Sequence, residues 1–128
     1  MRVLLDTQVF LWLQAQPGRL RPRLELLDDL DNELLVSVVV PWEISIKYRH
    51  GRLELPEPPG VYVPERMQAI RAVSVPVEQS HALAVASLPQ IHRDPFDRML
   101  VAQARLLGVP IMTADQRISA YPVETIMV

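Results

Sequence analysis

Short apolar runs alternate with longer amphipathic segments along the chain, and this pattern predicts a sheet whose strands are connected by helices. Val3–Leu5 forms a short buried strand that ends at Asp6. Leu34–Val40 is rich in β-branched residues, as is typical of a central strand covered on both faces. Three further strands are predicted over residues 73–75, 109–113 and 123–127.

Helical signals fill the intervals between these strands, and a proline-rich loop is expected over residues 56–60. Helices are predicted over residues 7–13, 20–30, 64–70 and 78–87, from Pro41 to near Gly51, and from Asp94 to Gly108. Because strands and helices alternate throughout, we expect a single domain over residues 1–128. Its architecture is predicted to be a three-layer α/β/α fold with a mainly parallel central sheet.

Composition narrows the chemistry that this domain can perform. The chain has 128 residues, 49% of them hydrophobic and 22% charged, which argues against intrinsic disorder. The absence of cysteine excludes thiolate metal sites and cysteine nucleophiles, and three histidines are few for a histidine-rich zinc site. A net charge of −2 excludes a protein that coats nucleic acid by bulk positive charge. Oxygen ligands and hydroxyl groups are left as the candidate chemistry.

No segment resembles a targeting signal or a membrane span. The apolar residues at the N-terminus are interrupted by Asp6, well short of a secretory signal. The longest apolar stretch, Leu34–Trp42, is much shorter than the roughly 20 residues that cross a bilayer. The expectation is a cytoplasmic protein without a membrane partner.

Four acidic residues are predicted to lie at the edge of the sheet formed by the carboxyl ends of its strands: Asp6, Glu43, Asp97 and Asp115. Ligands of open parallel sheets gather at this edge. Four converging carboxylates repel one another unless a cation neutralises them, and oxygen ligation selects Mg²⁺ or Mn²⁺. Metal-assisted hydrolysis of a phosphodiester is the reaction that suits such a site.

Each acid also has an ordinary structural explanation. Asp6 and Asp115 are each placed to cap the helix that follows them, and Glu43 precedes Lys47 by one helical turn, which favours an ion pair. Asp94 before Pro95 is a strong N-cap signal, and Asp97 has the position of its partner in a capping box. Helix caps alone, however, do not require all four acids to share one edge of the sheet.

Four segments resemble PIN-domain ribonucleases, and more narrowly the VapC-like toxins of bacterial toxin–antitoxin pairs: LLDTQVFLW, VVVPWEISIKYRHGRL, HALAVASLPQIHRDPFDRMLVAQA and PIMTADQRISAY. They occur in the order of the family and cover roughly the whole chain. The resemblance implies an α/β/α fold with an acidic Mg²⁺ or Mn²⁺ site. By matching motifs, it assigns catalysis and metal binding to Asp6, Glu43, Asp97 and Asp115.

Within that set, we expect Asp6 and Asp97 to ligate the metal directly. Asp115 and Glu43 are expected to act through water bound to the metal or to hold a second ion. Gln8 stands where the family commonly has histidine, so it receives no catalytic role. His81 and His92 are expected to serve packing or loop hydrogen bonding. Asp94 is expected to be a cap, and for Arg98 a structural role is favoured over binding a phosphate.

The resemblance also implies partners: an RNA substrate, a small antitoxin that blocks the acidic groove, and a second copy of the chain in a homodimer. Two alternatives stay open. One is a PIN fold without catalysis that only binds a partner. The other is a phosphoacceptor receiver domain, which needs an acidic pair after the first strand and a lysine after the last buried one. The chain has Asp6-Thr7 at the first place, and its single lysine, Lys47, lies elsewhere.

Overall fold

All 128 residues are described by the computed structural model, in which a five-stranded, all-parallel sheet forms the centre of the chain. The predicted α/β fold with a parallel sheet is confirmed. The strands are β1 (Arg2–Leu5), β2 (Glu33–Ser37), β3 (Val73–Val75), β4 (Ile111–Thr113) and β5 (Thr125–Met127).

Seven α-helices and two short 3₁₀ segments connect the strands. The helices are α1 (Thr7–Ala15), α2 (Leu24–Asp28), α3 (Val39–Arg49), α4 (Pro59–Ala69), α5 (Gln79–Ala84), α6 (Pro95–Leu107) and α7 (Gln116–Ser119). The 3₁₀ segments cover Pro17–Arg23 and Val85–Ser87. No helix is long and apolar enough to cross a membrane.

The strand order is β3-β2-β1-β4-β5, which places the first strand of the chain in the middle of the sheet. The connections from β1 to β3 advance toward one edge, and those from β3 to β5 advance toward the other. Right-handed crossovers therefore put helices on both faces of the sheet, with the reversal between β1 and β4. A receiver domain has the order 2-1-3-4-5, so the strand order argues against that alternative.

The hydrophobic core follows from this central position of β1. Val3, Leu4 and Leu5 are completely buried, because helices cover both faces of the sheet and strands pair with both edges of β1. Together with 23 other apolar residues they form one continuous cluster of 26. The short β1 run is thus apolar at every position instead of alternating, as expected for a parallel strand.

Two boundaries around β2 differ from the prediction. The strand ends at Ser37, and α3 already begins at Val39, so the apolar run Leu34–Val40 is divided between a strand and a helix. Pro41 is the third helical residue and not the first. Its missing N–H costs nothing there, because the first N–H groups of a helix have no partner within the helix.

The prediction of a single helix over residues 20–30 was wrong. Pro22 lies inside this segment, lacks an N–H group and clashes with the preceding helical turn. The chain instead forms the 3₁₀ segment Pro17–Arg23, followed by one turn and a half of α2. Of the apolar face expected for this helix, Leu27 is buried and Leu24 packs against the core, but Leu30 is 75% exposed, so the face is present only in part.

Smaller differences affect the other elements. The helix predicted over 64–70 begins earlier, at Pro59, inside the expected loop, since proline is favoured in the first turn of a helix. The helix predicted over 78–87 is divided into α5 and a 3₁₀ segment. Residues 73–75 form the predicted strand, and the helix predicted from Asp94 to Gly108 is confirmed as α6, with Asp94 as its N-cap.

Candidate active site

A cavity of about 440 Å³ opens at the carboxyl edge of the sheet, beside the reversal between β1 and β4. All four predicted acids line it: Asp6, Glu43, Asp97 and Asp115. Asp94 also lines the cavity, as do three cationic side chains, Lys47, Arg52 and Arg117. The sheet geometry therefore brings together residues from the first strand, α3, the start of α6 and the end of β4.

Asp6 lies directly after β1 and performs two tasks at once. Its Oδ1 accepts a hydrogen bond from the Val9 N–H at 2.8 Å, which caps α1. Burial raises the pKa of Asp6 to about 6, and the nearby carboxylates of Asp97 and Glu43 add to this rise. Hydrogen bonds from Thr113 and Val9 oppose it. The cap predicted for Asp6 is confirmed, and it coexists with a carboxylate directed to the acidic cavity.

Glu43 is held on both of its carboxylate oxygens. The Thr7 hydroxyl donates to Oε1 at 2.6 Å, and the Lys47 ammonium donates to Oε2. Glu43 is 5% exposed, so its charge is compensated by Lys47 inside the protein rather than by water. The predicted ion pair with Lys47 is confirmed, and Thr7 is shown to orient a carboxylate.

Asp97 lies in the first turn of α6 and contacts His92 rather than serving as the reciprocal partner of a capping box. His92 Nε2 is 3.1 Å from Asp97 Oδ2. Burial raises the pKa of Asp97, while the hydrogen bond to His92 lowers it and the charges of Asp94 and Glu43 raise it. Asp94 caps α6 by accepting from the N–H groups of Phe96 and Asp97 at 2.9 and 3.1 Å.

Asp115 follows β4 and is the most exposed of the four acids. It caps α7 by accepting from the Arg117 N–H at 2.9 Å, and the Arg117 guanidinium holds both of its oxygens at 3.1 and 2.7 Å. Arg117 holds the pKa of Asp115 below its usual range. The Thr113 hydroxyl accepts from the Asp115 N–H at 3.0 Å and fixes the turn after β4.

The tightest cluster of ligand atoms within the site includes a residue that sequence reasoning assigned to packing. Atoms of His92, Asp97 and Asp115 all lie within 4.8 Å of one another, whereas Asp6 and Glu43 are outside this group. His92 is buried and hydrogen-bonded, as expected, but its imidazole is directed to the acidic site. The only feature of the sequence that could have indicated this role is the position of His92 just before the N-cap of α6.

Two other residues have structural positions. Arg98 is buried and donates to the carbonyl oxygens of Val85, Pro89 and His92, so it does not bind a phosphate from the cavity. The structural role favoured for it is consistent with these contacts. His81 lies away from the cavity, where its Nδ1 accepts from the Glu78 N–H at the start of α5.

The donor set of the cavity suits a hard divalent cation. Oxygen atoms from carboxylates dominate, and carboxylates buried together raise one another's pKa in the absence of a positive charge between them. Mg²⁺ and Mn²⁺ prefer such ligands and bind through a few carboxylates while keeping several waters. Asp6, Asp97 and Asp115 have the required atoms. Both oxygens of Glu43 are engaged by Thr7 and Lys47, whereas the Arg117 guanidinium that holds both oxygens of Asp115 is largely exposed.

The fold and the cavity together define an α/β protein with an acidic site at the topological switch of a parallel sheet. The PIN domain family matches residues 3–124. The chain therefore belongs to the PIN domain family, and the resemblance found in its motifs is confirmed.

Two curated relatives come from Mycobacterium tuberculosis; one matches less than half of this chain and the other matches most of it. Ribonuclease VapC16 is 39% identical over 56 residues, which cover 44% of this chain and 40% of that protein. Ribonuclease VapC22 is 28% identical over 119 residues, which cover 93% of this chain and 91% of that protein. The chain thus matches less than half of the first relative and nearly all of the second.

Solved structures with the same fold include VapBC proteins from bacteria. VapBC2 from Rickettsia felis, bound to a DNA fragment from their promoter, superposes with a TM-score of 0.74 at 15% identity, covering 99% of this chain and 98% of that one. VapBC-5 from Mycobacterium tuberculosis, described as a member of a family of toxin–antitoxin systems, has a TM-score of 0.62 at 23% identity, with the same coverage. At these identities the likeness establishes the fold.

Proposed function

We propose that this chain is a metal-dependent endoribonuclease that hydrolyses RNA phosphodiester bonds and acts as the toxin of a toxin–antitoxin pair. The observation that carries the proposal is the cavity in which four carboxylates from distant parts of the chain converge. Membership of the PIN domain family and similarity to proteins named Ribonuclease VapC support the same reaction.

We assign the cation, Mg²⁺ or Mn²⁺, to Asp6, Asp97 and Asp115. This differs from the indirect role expected for Asp115 from the sequence, and it is supported by the ligand atoms of Asp97 and Asp115, which lie within 4.8 Å of each other. A cation held by these residues would supply Lewis-acid chemistry, favouring attack of water on the phosphodiester at neutral pH. Glu43 is a positioning residue in this scheme, because Thr7 and Lys47 fix both of its oxygens. The catalytic role predicted for Glu43 therefore consists of shaping the site and adding its charge to it.

The cationic side chains at the cavity support a substrate that carries phosphates. Lys47, Arg52 and Arg117 line the same space as the acids. Arg117 is largely exposed and is free to exchange its contact with Asp115 for a phosphate when the substrate arrives. The acidic centre binds the cation, and these side chains hold the RNA backbone beside it.

The solved VapBC structures support an antitoxin as the protein partner. An exposed apolar stripe on α3 supports self-association as well: Val38, Trp42 and Ile46 follow one another at intervals of four residues and are 40%, 58% and 37% exposed. We assign this stripe to the homodimer, which leaves the acidic cavity for the RNA and the antitoxin.

The test is cleavage of a panel of structured and unstructured RNAs by the purified chain, free of antitoxin, with Mg²⁺ or Mn²⁺. Asp97→Asn keeps the size of the side chain but weakens cation binding, and we expect it to lower the cleavage rate by about a hundredfold or more. The matched control is Asp31→Asn, an exposed acid outside the cavity, which should cleave like the wild type.

Two results would contradict the mechanism: cleavage that persists in the presence of a chelator, and cleavage that is unchanged in Asp97→Asn. A chain that binds Mn²⁺ and an antitoxin but cleaves no RNA would favour the alternative of a PIN fold that serves only to bind a partner.

A further inference from the structure

A chain of buried hydrogen bonds runs from the interior of the protein to one carboxylate of the cavity. Arg98 Nη1 is 3.0 Å from the Tyr121 hydroxyl, which is 2.7 Å from His92 Nδ1. His92 Nε2 is in turn 3.1 Å from Asp97 Oδ2. Arg98, Tyr121 and His92 are 8%, 3% and 9% exposed, so water does not compete for these contacts.

The direction of these hydrogen bonds follows from the chemistry of the groups. A guanidinium has only donors, so the Tyr121 oxygen accepts from Arg98, and it also accepts from the His92 backbone N–H at 3.3 Å. Both lone pairs of the oxygen are then used, and its one proton is left to donate. The nearest acceptor is His92 Nδ1, while the His92 carbonyl oxygen is 3.4 Å away.

The tautomer of His92 follows from this direction. Because Nδ1 accepts a hydrogen bond from the Tyr121 hydroxyl, a neutral imidazole carries its own proton on Nε2, and this N–H donates a hydrogen bond to Asp97. This contact occupies Oδ2 of Asp97 and leaves Oδ1 for the cavity. A carboxylate anchored on one oxygen presents the other in a fixed orientation, which is how partners of a ligand increase metal affinity.

We propose that Arg98, Tyr121 and His92 form a positioning relay that fixes His92 as the Nε2–H tautomer and holds Asp97 in place for the cation. The relay rests on the proposed function insofar as Asp97 is a metal ligand. His92 acts through Asp97 and does not bind the cation itself, although its ring lies within 4.8 Å of two carboxylates.

The anchoring of Arg98 supports this assignment. Its guanidinium faces no carboxylate within ion-pair distance and is held by the carbonyl oxygens of Val85, Pro89 and His92. The permanent donor at the inner end of the relay is therefore held in place by the protein backbone, independently of whether a cation is bound.

The test compares Tyr121→Phe with Tyr62→Phe. Tyr62 is also 3% exposed but lies on α4, outside the relay, so its variant controls for replacing a tyrosine of the core by phenylalanine. Two quantities are measured: the ¹⁵N shifts of the His92 ring in the metal-free protein, and the affinity for Mn²⁺ by calorimetry. His92→Leu removes both ring nitrogens at similar volume, identifies the His92 signals and serves as a second variant if Tyr121→Phe does not fold.

In both the wild type and Tyr62→Phe, we expect His92 to be a single Nε2–H tautomer. We also expect Tyr62→Phe to bind Mn²⁺ with the affinity of the wild type. In Tyr121→Phe, we expect a mixture of tautomers and an affinity for Mn²⁺ lowered about tenfold, and His92→Leu, which has no donor for Asp97, should lose affinity by a similar factor. A purely structural role of the hydroxyl would lower the unfolding midpoint without changing the tautomer.

The relay is overturned if the wild-type ring is protonated on Nδ1, or if folded Tyr121→Phe and His92→Leu both bind Mn²⁺ like the wild type. It is also overturned if Mg²⁺ removes the proton from Nε2, because His92 would then be a ligand. Failure of the wild type to bind Mn²⁺ would contradict the proposed function instead, since the tautomer is measured without metal.

Discussion

The acids of the cavity have different electrostatic environments although they share one space. Burial raises the pKa of Asp6 to about 6 and also raises that of Asp97, whereas Arg117 lowers the pKa of Asp115. The cavity thus holds two carboxylates that resist ionisation and one that is ionised readily. A divalent cation would favour the ionised forms of all three, so metal binding and proton release are coupled.

This difference predicts how stability depends on pH in the metal-free protein. Asp6 has an unfolded pKa near 3.8 and a folded pKa of about 6, so between these values the native state retains a proton that the unfolded state has released. The free energy of unfolding therefore falls as the pH rises from about 4 to about 6, by about 2–3 kcal/mol at most. Asp6→Asn should remove this contribution while still capping α1, because asparagine caps as well as aspartate.

Urea denaturation at several pH values in the presence of a chelator measures the effect. Asp97 contributes a slope of the same sign, so a smaller decline should persist in Asp6→Asn. Asp31→Asn, on the exposed loop before β2, should keep the wild-type slope. Equal slopes in the wild type and Asp6→Asn would show that the Asp6 carboxyl is not shifted upward in the folded state.

Most of the candidate site was predictable from the positions of acids relative to strands. Asp6 and Asp115 follow strands directly, and the sheet model alone places them at one edge. His92 was not predictable in this way, because its contact with Asp97 depends on how residues 88–94 cross the end of the sheet. The fixed orientation of the Glu43 carboxylate depends on its hydrogen bond with Thr7. The two residues are far apart in the sequence, so no local pattern predicts this contact.

Among the elements, α6 is the one whose sequence determines its limits most completely. Asp94 caps its start, Pro95 occupies its first turn, and Gly108 ends it in a left-handed conformation with φ +67°. Both ends were therefore predicted from sequence. Elements without such signals were predicted less well, as with Leu34–Val40, where uniformly apolar residues do not reveal where a strand gives way to a helix.

Two glycines give opposite predictions for substitution by alanine. At Gly108, the left-handed backbone disfavours a Cβ, so Gly108→Ala should lower the free energy of unfolding by about 1–2 kcal/mol. Gly60 lies in the first turn of α4 and has no positive φ. Gly60→Ala should therefore raise the free energy of unfolding by up to about 1 kcal/mol. An added Cβ meets no atom within 4 Å at either position, so packing does not contribute.

Urea denaturation of both variants at one pH is the measurement, with each serving as the control for the other. A destabilised Gly60→Ala would indicate that α4 does not extend to its first turn in solution. An unchanged Gly108→Ala would indicate that the end of α6 rearranges at no cost.

For the assembled molecule, the proposed homodimer makes the stripe on α3 testable. Trp42 is the largest and most exposed side chain of this stripe. Its ring packs edge to face against the ring of Phe96, with 5.0 Å between the ring centroids. Large aromatic side chains dominate the energetics of protein interfaces, so Trp42→Ser should weaken self-association about tenfold or more. Sedimentation velocity over a range of concentrations measures this change.

The control is Leu106→Ser, which removes an apolar side chain that is 53% exposed on α6. It should associate like the wild type. If both variants weaken the dimer equally, or if the wild type is a monomer at every concentration, the stripe is not the dimer interface.

The central position of β1 has a consequence for the time at which the site comes into existence during synthesis. Asp6 is synthesised before the other three acids, yet the strand before it is paired on one side with β4, which Asp115 follows. The Asp6 N–H itself donates to the Met112 carbonyl oxygen at 3.1 Å. A nascent chain that ends before β4 therefore carries three of the acids but not Asp115, so the cavity cannot form until β4 has been synthesised.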